Sequence, residues 1–193
     1  VANKALLTEP GGTPKQIVFA NHADDFSPST NNNLQEGTPT EGELVLLNLA
    51  DSAAAQSAKV DLGEKFAQEY AVIACLEMQL AAAVDGALVE FYWNASTSGT
   101  AAVADLAGAT GAAGAYSGYS SDLATSILQL IPIGSMVMTD DAFDSIQIAF
   151  VGTLYPPSRY GSLIIKNECG QTICDTDDIE AHVVLNPVVP ELQ

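Results

Sequence analysis

Basic residues are nearly missing from this chain. Its 193 residues hold 6 Lys and Arg against 24 Asp and Glu, a formal net charge of −18. Proteins grip a phosphate backbone with cations that displace its counterions, so the deficit argues against nucleic acid as a partner. It argues equally against anionic membrane surfaces, and for basic or neutral partners. Histidine is as scarce, with only His22 and His182 present. Nucleophilic catalysis needs a base near the nucleophile and a third group to orient that base. Jelly-roll enzymes resembling cupins carry several histidines on neighbouring strands. Two imidazoles far apart in sequence fit neither scheme.

The 3 cysteines are too few for a disulfide framework. Cys75 lies in an apolar alternating stretch and reads as a small buried hydrophobe. Cys169 and Cys174 flank Gly170-Gln171-Thr172-Ile173, a spacing that suits a hairpin clip or half a zinc site. A full structural zinc site needs four ligands, and neither histidine completes one. No metal and no cofactor are expected. The pair is expected to be reduced in a cytoplasm and able to bond once exposed to oxidant. There is no run of about 18 apolar residues, so no transmembrane helix is expected. The stretch Val1 to Leu7 lacks the apolar core of a secretory signal, which predicts maturation in the cytoplasm. The glycines from Gly108 to Gly114 do not follow the phosphate-loop spacing, and no lysine follows them. The acidic pairs Asp24-Asp25 and Asp140-Asp141 match no calcium loop and read as turns.

What is present is apolar residue, 48 % of the chain, in short alternating runs. Tyr70, Val72, Ala74, Leu76, Met78 and Leu80 share one face of a strand by period two. Asp85-Gly86 reads as a tight turn, and Ala87 to Asn94 as the returning strand of an antiparallel hairpin. Trp93 and Tyr92 then point to opposite faces, with an aromatic buried in the core. Further runs at residues 43–49, 59–63, 126–131, 133–139, 144–155, 161–167 and 178–186 bring the candidates to nine, for about eight core strands, with no amphipathic helix. Such a series predicts an all-β fold, a single antiparallel β-sandwich of jelly-roll type over residues 43–187. Residues 188–193 are expected to be a C-terminal tail.

Two regions depart from the pattern. Residues 1–42 are rich in Pro, Gly, Asn and Ser and predict an extended arm. The arm carries one sticky piece, Ile17, Val18 and Phe19. It is expected to be mobile in the free protein and to dock by strand addition on a neighbour, making these three residues assembly contacts. Residues 95–122 are an Ala, Gly, Ser and Thr loop longer than compact domains usually hold. Near the C-terminus, Asp178, Glu180 and His182 fall on one face opposite Ile179, Ala181, Val183 and Leu185. That row is expected to be the solvated face of the last strand, with no metal on it.

Several stretches carry a resemblance. They are Gln68 to Val72, Val89-Glu90-Phe91-Tyr92-Trp93, Gly118-Tyr119-Ser120-Ser121, Ile133 to Val137, Arg159 to Leu163 and Glu180 to Leu185. Together, over roughly residues 60–190, they resemble small jelly-roll structural proteins of the virions of tailed bacteriophages. The resemblance implies assembly and no catalysis. It leads to a head decoration or cement protein, a homo-oligomer with a trimer favoured, seated on the major capsid protein or other virion proteins. A tail, collar or fibre-attachment component is the alternative within that class. A carbohydrate-binding β-sandwich is the alternative from another class.

Overall fold

A computed structural model describes residues 14–140 and 145–188. Eleven strands form one continuous sheet. They are β1 (Ile17–Ala20), β2 (Thr40–Glu43), β3 (Ala54–Gln56), β4 (Val60–Asp61), β5 (Tyr70–Met78) and β6 (Leu88–Ser96). After them come β7 (Gly114–Tyr116), β8 (Ile131–Val137), β9 (Ser145–Leu154), β10 (Tyr160–Glu168) and β11 (His182–Pro187). One four-residue helix, α1 (Leu123–Ser126), is capped by the Asp122 carboxylate, which accepts from the Thr125 amide. The strand order is β2-β1-β11-β5-β9-β8-β6-β10-β3-β7, with β4 beside β10. β1 and β2 run parallel and every other pair is antiparallel, so the sheet is mixed. The all-β expectation holds; the architecture is a single curled mixed sheet.

The curl has a local cause. β8 and β9 meet at a single residue pair, Gly134 and Gly152. On either side of that crossing the register slips, once between β6 and β8 and once between β5 and β9. An extra residue in one strand bends it and sharpens its twist. Two slips side by side turn the sheet back on itself. β1, β11, β5 and β9 then face β6 and β10 across a common core.

That core follows from period two. The β5 residues Tyr70, Val72, Ala74, Leu76 and Met78 are all buried, as are Val89, Phe91 and Trp93 of β6 and Val183 and Leu185 of β11. Phe19 of β1 crosses the core to meet Trp93 edge to face, their centroids 6.4 Å apart. Trp93 is thus the buried aromatic, while Tyr92 on the opposite face is half-buried and donates to Glu90.

Several expectations are corrected. The Asp85-Gly86 turn exists, with Gly86 at φ 80° and Ala87 N–H bonded to Val84 O. Its flanking strands do not pair: β5 lies between β11 and β9, and β6 between β8 and β10. The described part of the arm is domain, since β1 sits between β2 and β11 and all four of its residues are buried. Residues 95–122 are not featureless. β6 runs on to Ser96, and β7 extends the sheet at its far end.

Each outer face of the curled sheet carries a cover made from the chain itself. Residues 97–130 fold over β10, β3 and β7, closing a second apolar cluster that includes Ile164, Ala54, Tyr116, Ile127 and Leu130. Residues 22–36 lie over β1 and β11. There Phe26, Leu34 and Ile73 pack on Val18, Ala20 and Val184.

Candidate interaction face

The proposed contact residues Ile17, Val18 and Phe19 are inside the molecule. Ile17 is 2 % exposed, and Val18 and Phe19 are 0 % exposed. Their backbones pair with Leu185, Val184 and Val183 on one side and with Thr40, Glu41 and Gly42 on the other. No ladder edge is left on β1 for a neighbour. The β-addition expectation is therefore corrected: the strand addition takes place within the chain.

Asp178, Glu180 and His182 are not a solvated row. Strand structure begins only at His182, so period two does not extend back to Asp178. Asp178 is buried, and its carboxylate accepts from the Leu46 and Leu47 amides and from Asn21 Nδ2. Glu180 accepts from the Ser29 amide at 2.9 Å and from Asn32 Nδ2 at 3.2 Å. His182 is fully buried on the outer face of β11, beneath residues 22–36. Its Nδ1 lies 2.7 Å from Glu180 O, and a carbonyl only accepts, so Nδ1 carries the proton. Nε2 is then free to accept the Leu34 amide at 3.1 Å. Burial, the largest influence, holds this imidazole's pKa below its ordinary value. The three side chains tie separate loops to the sheet and do not converge. Among the described residues no group of three or more His, Cys, Asp and Glu side chains is placed to hold a metal ion.

The cysteines are free and buried. Burial pushes the Cys75 thiol up to about 12, with nearby Glu180 and Glu77 adding to the shift. It raises Cys169 and Cys174 as well. Thiols kept protonated are poor nucleophiles.

The Ala and Gly cover is organised by one cation, which sequence reasoning missed. Lys59 Nζ lies 3.0 Å from Asp105 Oδ1, and both side chains are 3 % exposed. The ammonium also donates to Ser96 Oγ and to the carbonyls of Thr100 and Val103. Asp105 Oδ1 accepts from Asn94 Nδ2, and Asn94 Oδ1 takes the Leu106 amide. Four oxygens close around this one side chain, and it acts as a strut. The signal available in sequence was a lone Lys in an acidic chain, which marks no partner by itself.

What the covers leave open is a strip of the outer face that residues 22–36 partly cover. Ile148 is 43 % and Phe150 61 % exposed, two residues apart on β9. Ile73 of β5 stands opposite Phe150 in the ladder and is half-buried. Ile146 continues the row toward a shallow cleft of about 520 Å³ lined by Glu77, Leu80, Thr176, Asp177, Ile179 and Glu180. No described Lys or Arg lines it. The strip is therefore apolar along β9 and acidic at one end. Compared with known protein families, curated proteins and solved structures, the chain matches none.

Proposed function

We propose that this chain is a structural protein that works by docking, and that the β9 strip is where it docks. The observation that carries the reading is the exposed Ile148 and Phe150 row. Other apolar side chains are as exposed, Leu128 at 81 % and Tyr155 at 64 % among them, but Ile148 and Phe150 share one face of one strand, with half-buried Ile73 beside them. Contiguous exposed apolar surface rimmed by polar groups marks an interaction site. The acidic cleft at its end favours a partner that brings cations.

The curled sheet is read here as an opened jelly-roll sandwich, its two halves joined at the Gly134 and Gly152 crossing. With the resemblance to virion structural proteins of tailed bacteriophages, the reading becomes a decoration or cement protein. It would sit as a homo-oligomer, a trimer favoured, on the capsid lattice. Net charge of −18 suits that station, because it keeps the free protein dispersed and away from DNA. Electron microscopy of purified particles tests this. The expected result is density for the fold at symmetry-related lattice positions, with the β9 strip turned into the contact. Particles that lack the chain, or that carry it with β9 facing solvent, overturn it.

A further inference from the structure

We propose that residues 22–36 are an acid-released strap: protonation of His182 breaks its bond to the Leu34 amide and lets the strap lift from the β1–β11 face. The strap is fastened at few points. Ser27 N–H bonds Ile179 O at 3.2 Å, Ser29 and Asn32 bond Glu180, and Leu34 bonds His182. Gln16 closes the far end, donating to Leu34 O and accepting the Glu36 amide. His22 also fastens the strap, its Nε2 donating to Val18 O at 3.0 Å, so His182 is the imidazole here that holds the strap as an acceptor and whose bond a proton breaks.

The chemistry at Nε2 is one-directional. In the neutral ring this nitrogen is an acceptor facing an N–H. In the cation it becomes a donor facing that same N–H, because Nδ1 already gives its proton to Glu180 O. Protonation therefore replaces a hydrogen bond with two opposed donors at a fully buried site. Leu34 loses its anchor, and with it its place against the cluster of Val18, Ala20 and Val184.

The surroundings set the sign. From β5, Cys75 stands opposite His182 as a neutral thiol, and Glu77 lies two residues further on. From the approach to β11, Glu180 favours the cation, while Asp178 is turned to the Leu46 and Leu47 amides. From the strap, His22 disfavours the cation and stacks on Phe26, whose ring lies 5.3 Å from His182. From β2, Glu43 holds the Ala23 amide. Burial outweighs the help from Glu180, so the closed strap binds the proton less readily than the open one. The closed state is then fully favoured above the open-state value of about 6.5 and loses ground as pH falls below it.

Amide hydrogen exchange of the intact protein, corrected for intrinsic rates, reads this directly. Protection of peptides within 22–36 is expected to fall by a factor approaching tenfold per pH unit below about 6.5, while β5 and β6 peptides stay protected. His182→Gln keeps an acceptor that cannot titrate and should abolish the fall. Strap protection that is flat from pH 7.5 to 5.0, or that falls as steeply in His182→Gln, overturns the proposal. If the variant does not fold, NMR titration of the wild-type imidazole decides: its midpoint should coincide with strap opening, and a ring that titrates under a closed strap overturns it.

Discussion

At the crossing of β8 and β9 a single methyl group is too large. A Cβ at Gly134 would fall on the carbonyl oxygen of Val151, and one at Gly152 on that of Ile133. Backbone atoms cannot rotate away as a side chain can. Gly134→Ala and Gly152→Ala are each expected to destabilise the fold by about 3 kcal/mol or more, by urea unfolding. Gly37, at φ 61° with open space around it, is the control, and Gly37→Ala should cost only about 1–2 kcal/mol of backbone strain. Nothing in the local sequence separates these glycines, because the requirement comes from the facing strand and not from the glycine's own. His182 teaches the complementary lesson. Period two sets it opposite Val183 and Leu185, which are indeed turned to the core. The expectation failed at the next step, since the outer face is not an exposed face when another segment covers it.

Among the elements, β1 decides whether the N-terminal region is arm or core. Its side chains alternate between the two apolar layers, Phe19 against Trp93 inside and Val18 against Val184 outside. Phe19→Ala is expected to cost about 3–5 kcal/mol. Deleting residues 1–40 removes β1, exposes the β11 ladder and should abolish the cooperative thermal transition; a truncated chain that melts as sharply as the intact one would refute this. The apolar piece at residues 17–19 was legible as a strand. Its partner was not, because Gln16–Ala20 looks the same whether the edge it meets belongs to its own chain or another. The Asp85-Gly86 turn was likewise legible, being fixed by Gly86 alone. The hairpin inferred from it failed because pairing is decided by burial on both faces. β5 finds that burial between β11 and β9.

For the molecule as a whole, charge and the β9 strip pull in opposite directions. A net charge of −18 keeps copies apart at low salt, while Ile148 and Phe150 favour contact. Salt shortens the range of the repulsion to about 3 Å at 1 M, and leaves apolar attraction in place. Association measured by sedimentation is therefore expected to strengthen with salt. Phe150→Ser should weaken it at least tenfold without lowering the melting temperature. Association that is unchanged in the variant would place the contact elsewhere. The pairing of β1 with β11 also has a consequence in time. Ile17 meets Leu185, so β1 waits for every residue between those two positions to be translated before this ladder can close. At about 5–20 residues per second the wait is roughly 8–33 s. Through that interval Ile17, Val18 and Phe19 lack their β11 partner and have only β2 to pair with among the strands beside them. Whatever shields them then, a chaperone or a temporary neighbour within the chain, must let go when β11 emerges.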